Sequence, residues 1–199
     1  MDRVKRMAEL AGGTLEKRFT AELEQLVVTL EHNHQALAAQ LRETLTGLFA
    51  QVHTLQAAGE KGILAYVSFS MLQSNLLLGK YAFQIDAYDE RFFIDDAEAS
   101  AEWDFSPLLQ GVGQDFGSVR HMLRQSIPRV QEYELWELEQ AYRVNYYAYS
   151  AQILQTMLPH ALKGFTPVDA GVSAASPLLF TFGAYMEQQT PFFEWEWSA

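Results

Sequence analysis

The first part of the chain carries a long helical pattern of apolar residues. Between Thr14 and Ala58 these residues recur three and four positions apart: Leu23, Leu26, Leu30, Leu37, Leu41, Leu45, Leu48, Val52 and Leu55. This spacing places them on one face of a helix, and that face must be buried against another surface. At a rise of roughly 1.5 Å per residue the helix is about 60 Å long. We expect it to follow a short helix or arm that ends at Gly12-Gly13, and to stop at Gly59.

Residues 59–104 change to a period of two. Apolar residues alternate with polar ones in 67–71 and again in 81–87, which is the pattern of strands with one buried face. Leu78-Gly79-Lys80 supplies a tight turn between these strands. A buried helix over 63–78 remains the alternative, because the first half of that segment is apolar on both faces.

The end of this region is acidic. Arg91 to Ile94 predicts a short third strand, and the small and acidic residues 95–104 predict a surface loop. Five acids cluster here, and they could bind Ca²⁺ or Mg²⁺ or act as a general acid and base: Asp86, Asp89, Glu90, Asp95 and Asp96. The glycine of a calcium-binding loop is missing, so we favour a solvated loop that keeps a strand edge from pairing.

The second half of the chain begins with helical patterns. Ser106-Pro107 predicts the start of a shorter helix, with Leu109, Val112, Phe116, Val119 and Leu123 on its buried side. Pro128 predicts the start of a second long helix that runs to about Lys163. Its buried stripe contains Leu135, Leu138, Tyr142, Tyr146 or alternatively Asn145, Tyr149, Ile153 and Met157. Alternation returns in 178–182 and in 193–197, which predicts two further strands.

These elements predict an α+β fold in a single domain over residues 1–199. Two long amphipathic helices pack as an antiparallel pair beside a shorter helix, so that the helical part covers 14–58 and 106–163. An antiparallel sheet of about five short strands comes from 63–95 and 177–197, within a sheet part that covers 59–104 and 164–199.

Charge and composition narrow the function classes. The net charge is −11, and nearly all of it lies in the two segments assigned to the sheet, so we expect no nucleic acid partner. No apolar run reaches the length of a membrane span, and we expect no membrane partner. Cysteine is absent, which suits a reducing compartment, and we predict a cytoplasmic protein.

Tyrosines and one arginine share neighbouring rows of the second long helix. Tyr142, Tyr146 and Tyr149 lie on one face, and Arg143 lies beside them. Each tyrosine combines a large apolar body with a hydroxyl that needs a partner when it is buried. This face could line a ligand pocket or form a seam between helices. We favour the seam, and we retain these four residues as the ligand-binding candidates.

Glu31 and His34 show the Glu-x-x-His spacing by which a helix offers a carboxylate and an imidazole to a metal. Such sites need a second pair of this kind, and no other histidine has a glutamate three positions before it. We therefore expect no metal and no cofactor. Glu31 and His34 are the two residues that the spacing alone would offer to a metal.

The usual catalytic motifs are missing. There is no Gly-x-Ser-x-Gly, no phosphate-binding Gly-x-x-x-x-Gly-Lys and no His-Glu-x-x-His, and we predict no catalytic residues. We therefore predict a non-enzymatic interaction or regulatory protein that self-associates, or binds a protein partner, through its long helices. The alternative is a small-molecule-binding protein or enzyme with a pocket between sheet and helices, lined by the Tyr/Arg face.

Overall fold

The computed structural model describes residues 3–78, 80–104, 106 and 111–197, without the side chains of 4, 73, 76, 77, 111–115, 147 and 148. Gly79 and Leu109, and the side chain of Val112, therefore lie outside the described part. The chain forms two compact units. The helical unit comprises Met1–Asn33 and Ser106–Ser150, and the sheet unit comprises His34–Phe105 and Ala151–Ala199. The assignment of the whole chain to a single domain stays a prediction.

The first long helix, α1, spans Arg3–Ala57. Its end is where the sequence predicts it, and Gly59 follows with a positive φ of 73° that suits glycine. The predicted start at Thr14 is wrong, because the helix runs without a break through Gly12 and Gly13. Each glycine lowers the stability of a helix by about 1 kcal/mol, and the helical turns on either side of this pair are nevertheless continuous. The predicted stripe is confirmed in the sheet unit, where Leu37, Leu41, Leu45, Leu48 and Val52 are all buried.

Two further helices complete the helical unit. α3 spans Gly111–Ser126 and α4 spans Glu132–Ala161; a six-residue helix, α2 (Gln73–Leu78), belongs to the sheet unit. The predicted start of the second long helix at Pro128 is four residues early, because Arg129 has a φ of 54° and interrupts the helical path. The buried stripe of α4 is confirmed at Leu135, Leu138, Tyr142, Tyr146, Ile153 and Met157.

The predicted antiparallel pair of long helices is wrong. In the helical unit Arg3 of α1 binds Glu134 of α4, and farther along both helices Phe19 contacts Tyr146, so α1 and α4 run in the same direction. The antiparallel neighbour of α1 is α3, since Thr14 contacts Met122 while Arg3 reaches the turn after α3. The prediction overlooked that the shorter helix returns the chain before α4 begins.

The sheet unit contains five strands among its described residues: β1 (Leu64–Met71), β2 (Ala82–Asp89), β3 (Ser100–Asp104), β4 (Ala174–Ala184) and β5 (Gln189–Trp195). Their order is β3-β2-β1-β4-β5, and β1 pairs with β4 in parallel. The sheet is therefore mixed, and the prediction of a wholly antiparallel sheet is wrong. The long connection from β1 to β4, which includes α2, α3 and α4, permits a parallel pair that a short turn does not.

Two local predictions in the acidic segment are also wrong. Residues 92–94 form a single 3-10 turn instead of a strand. The third strand is β3, inside the segment predicted as a surface loop, where Trp103 is fully buried. Both earlier readings of 63–78 are partly right, because β1 is followed directly by α2.

The two faces of the sheet differ in chemistry. Val67, Phe69, Phe83, Ile85 and Phe180 form a fully buried apolar face. Within the sheet unit this face continues through Trp195 to Phe49 of α1, whose rings are 6.4 Å apart. The opposite face carries short polar side chains that are nevertheless buried, and it holds the groups considered next.

Candidate functional site

The predicted tyrosine face of α4 is packed within the helical unit. Tyr142 and Tyr146 are both buried, and their hydroxyls share a hydrogen bond of 2.9 Å. The Tyr146 ring meets Phe19 of α1 edge-on at 5.0 Å, and the Tyr142 ring lies 6.4 Å from Phe116 of α3. The two hydroxyls thus serve each other inside a helix–helix seam, as expected for buried tyrosines.

Arg143 forms an ion pair with the Glu139 carboxylate of the same unit. Its Nη2 atom donates to Glu139 at 2.6 Å, and Arg120 of α3 donates to the same carboxylate group at 3.0 Å. Tyr149 is half-buried. The structure thus brings Tyr142 and Tyr146 together but directs Arg143 into an ion-pair network, so the four candidates do not converge on one cavity. A ligand role for them stays a prediction.

An apolar groove lies in the helical unit beside Tyr142. It has a volume of about 420 Å³, and its lining comes from α1 and α4: Ala8, Gly12, Leu15, Glu16, Phe19, Leu138, Ala141, Tyr142 and Asn145. Apart from its neighbours on α1, no described atom lies within 4 Å of the position that a Cβ on Gly12 would occupy. Small side chains therefore leave this groove open, and apart from Glu16 and Asn145 it offers few polar groups.

Glu31 and His34 are the two residues that the sequence spacing would offer to a metal. Glu31 and His34 are exposed on α1, and in the sheet unit the His34 ring lies 6.0 Å from that of His160. Among the described residues, no group of three or more His, Cys, Asp or Glu side chains is arranged to hold a metal ion.

The sheet unit contains a polar row that the sequence analysis did not assemble. Strand register places Ser68 of β1 beside Asp86 of β2 on one side and Thr181 of β4 on the other. All three residues are buried. Asp86 Oδ2 and Thr181 Oγ1 have no hydrogen-bond partner among the described residues. Buried polar atoms of this kind are rare, and they mark places where water or a ligand completes the structure.

Gln189 of β5 covers part of this row. Its side chain accepts a hydrogen bond from Ser68 at 3.0 Å and donates one to the Ala184 carbonyl at 2.7 Å. It crosses Gly183, where an added Cβ would lie 3.0 Å from the Gln189 side chain and 2.4 Å from the Gln188 carbonyl oxygen. Glycine at 183 is therefore required by close packing.

Asp86 also lines a cavity of about 190 Å³ at the edge of the polar row. Burial raises the pKa of Asp86 and the Glu98 charge adds to that rise, whereas a hydrogen bond from Gln84 to Oδ1 and, more weakly, the Tyr88 hydroxyl and the Lys61 charge oppose it. Burial likewise raises the pKa of Tyr88, two residues along the same face, and the Asp86 charge raises it further. Burial in this cavity therefore makes ionisation of both groups less favourable than in water.

Of the other four acids in the predicted cluster, Asp89 and Asp95 have buried side chains, and the solvated-loop prediction is wrong for these two. Asp95 pairs with Lys61, and the side chains of both are completely buried. Asp89 is 2% exposed and accepts hydrogen bonds from Arg91 at 2.8 Å and from the Gly62 N–H at 3.1 Å. Burial alone would raise the pKa of Asp89, but these donors lower it below its usual value. Glu90 and Asp96 fit the solvated-loop prediction, since Glu90 is exposed and the Asp96 side chain is 90% exposed.

The comparisons with known proteins supply no relative. No protein-family model, curated protein or solved structure matches this chain. Among the described residues, no helix has both the length and the apolar character needed to cross a membrane. The functional argument therefore depends on the chain's own geometry.

Proposed function

We propose that this chain is a non-enzymatic interaction or regulatory protein that associates with a second copy through an outer stripe of α1. The outer stripe comprises Leu10, Ala21 and Val28, which fall on one face at helical spacing. Leu10 and Val28 are 44% and 45% exposed. The absence of cysteine supports a cytoplasmic setting.

The distribution of charge along α1 carries this proposal. Residues 3–18 contain five bases and two acids, whereas residues 19–33 contain three acids and no base. The bases at Arg3, Lys5 and Arg6 lie in the first turn of α1, where the helix dipole favours acids instead. A second copy in antiparallel orientation would place the basic half of each helix against the acidic half of the other. Leu10 would then face Val28 of the partner, and Lys17 would lie within one turn of the partner's Glu24.

Gly13 supports the same arrangement. It lies next to the outer stripe, and apart from its neighbours on α1 no described atom approaches within 4 Å of the position that its Cβ would occupy. A helix-interior glycine lowers stability by about 1 kcal/mol relative to alanine, and packing among the described residues does not explain the choice. Close approach by the backbone of a second helix would.

Sedimentation velocity with a charge exchange tests the proposal. The native chain should sediment as a dimer of the 22.6 kDa protomer at micromolar concentration, and about 1 M salt should weaken the dimer by screening. Lys17→Glu should weaken it at low salt, and adding Glu24→Lys should restore it. Lys5→Glu is the matched control, because Lys5 lies roughly 140° around the helix from Leu10. A monomer in the native chain, or no rescue by the double variant, would refute the proposal.

The alternative function, a small-molecule binder, draws its support from the groove beside Tyr142. Its lining is mainly apolar, so a hydrophobic ligand suits it better than the anion that an open Arg143 would have recruited. Ala141→Trp would fill the groove from the exposed side of α4. If a thermal-shift screen finds hydrophobic ligands, this variant should abolish their effect, and an unchanged shift would exclude the groove as their site.

A further inference from the structure

The cavity beside Asp86 combines aromatic walls with acidic groups. β2 contributes Asp86 and Tyr88, the segment before β3 contributes Phe93 and Glu98, and the β4–β5 hairpin contributes Tyr185. The Tyr88 and Phe93 rings meet edge-to-face with centroids 5.5 Å apart. Asp86 lines the cavity and is 6% exposed, and its Oδ2 atom has no hydrogen-bond partner among the described residues.

The charges around the cavity leave an excess of acid. Lys61 pairs with Asp95, and Arg91 pairs with Asp89 through several hydrogen bonds. These two cations therefore balance two acids. Asp86 and Glu98 remain, and neither forms an ion pair within the described residues. A ligand that enters this cavity therefore meets two carboxyl groups without an ion-pair partner, beside aromatic rings.

We propose that this cavity binds a small organic cation, such as a quaternary or primary ammonium group, between Asp86, Glu98 and the rings of Tyr88, Phe93 and Tyr185. Aromatic faces attract cations through the negative charge of their π systems, and this attraction strengthens where water is excluded. A donor-bearing ammonium group would also give Asp86 Oδ2 its missing hydrogen bond.

The lining favours an organic cation over a metal ion. Ca²⁺ takes six to eight oxygen ligands, whereas the uncommitted oxygens of this cavity come from two carboxylates and two tyrosines. Rings and the Met186 thioether form much of the remaining wall. These groups suit the methyl and methylene groups that surround an ammonium nitrogen.

Isothermal titration calorimetry with choline and 3,3-dimethylbutan-1-ol tests the charge requirement. The alcohol matches choline in shape but replaces the nitrogen with carbon. We expect choline to bind with a dissociation constant at least tenfold lower than that of the alcohol. Methylammonium should also bind, because it can donate to Asp86. Equal affinity for choline and its neutral analogue, or no binding of either cation, would overturn the proposal.

Three variants locate the site. Asp86→Asn keeps the shape of the side chain and should weaken choline binding at least tenfold, and Tyr185→Leu should weaken it by removing an aromatic wall. Glu98→Gln provides a second test at an exposed position that does not depend on folding of the buried row. Glu187→Gln is the matched control, because it removes an exposed acid from the same hairpin outside the cavity. Unchanged binding in both Asp86→Asn and Glu98→Gln, or an equal loss in Glu187→Gln, would contradict the assignment.

Discussion

Replacing Lys61 with methionine should destabilise the sheet unit by about 3 kcal/mol, because it breaks a buried ion pair. The side chains of Lys61 and Asp95 are both 0% exposed. Lys61 Nζ donates to the Asp95 carboxylate and, at 2.7 Å, to the Ala97 carbonyl. Methionine keeps most of the apolar stem, so the change removes charge and hydrogen bonds with little loss of packing.

The magnitude follows from what Asp95 retains. Removal of one member of a buried pair costs about 3–5 kcal/mol when the other charge is left uncompensated. Here Asp95 still accepts from the Asp89 N–H at 2.9 Å, the Ala97 N–H at 3.1 Å and Arg91 Nη2 at 3.3 Å. These donors place Lys61→Met at the lower end of the range. Asp95→Asn should cost more, about 4 kcal/mol, because it leaves the buried ammonium group with uncharged acceptors only.

Urea unfolding followed by tryptophan fluorescence measures both losses through linear extrapolation of the free energy of unfolding. Trp103 reports on the sheet unit, since it is fully buried in β3. The double variant should lose less than the sum of the single losses, because the pair acts as one unit. Lys163→Met, at an exposed position, should change the free energy by less than about 0.5 kcal/mol. A loss below about 1 kcal/mol for Lys61→Met, as in exposed pairs, would refute the reasoning.

Three further changes test separate features. Gly183→Ala should lower the free energy of unfolding by about 1–3 kcal/mol, because its Cβ would lie 2.4 Å from the Gln188 carbonyl oxygen; an unchanged urea midpoint would show that the strand shifts freely. Tyr146→Phe should cost about 1 kcal/mol in urea unfolding through loss of the hydroxyl pair with Tyr142, and no loss would mean that this bond adds nothing. The raised pKa of Asp86 penalises its ionised form in the folded state, so this penalty appears as pH rises from below the unfolded pKa through the folded pKa. The stability of Asp86→Asn relative to the native chain should therefore be more favourable at pH 7 than at pH 4 in urea unfolding, and a difference independent of pH would contradict the shift.

The helices and most strands could be predicted because their signals are local. The stripe from Leu37 to Val52 repeats within every turn, and burial follows it closely. The alternation in 67–71 and 178–182 likewise identifies strands from neighbouring residues alone. β3 was missed because its five residues include Glu102 and Asp104, whose acids resemble those of the preceding loop. The decisive signal was Trp103 between them, which needs burial.

The sequence patterns could not predict which distant segments pair with each other. The parallel partnership of β1 with β4 joins Leu64 to Ala174, and no local pattern distinguishes it from an antiparallel arrangement. The relative direction of α1 and α4 has the same origin, since two amphipathic stripes of similar length fit either orientation. Direction is fixed by the turn after α3, where Arg3 binds both Glu134 and the Pro128 carbonyl.

The polar row places the better candidate site in the sheet, although the sequence pattern favours α4. Ser68, Asp86 and Thr181 each look like an ordinary strand residue, and only the register makes them neighbours. An unsatisfied buried polar atom costs about 1–3 kcal/mol, and two such atoms flank Ser68. Apolar side chains at 86 and 181 would avoid that cost, as they do on the opposite face. The tyrosines of α4 show the contrary situation, because their hydroxyls satisfy each other. Unmet hydrogen-bonding capacity therefore points to the sheet, beside Asp86, as the place where a ligand would add the most stability.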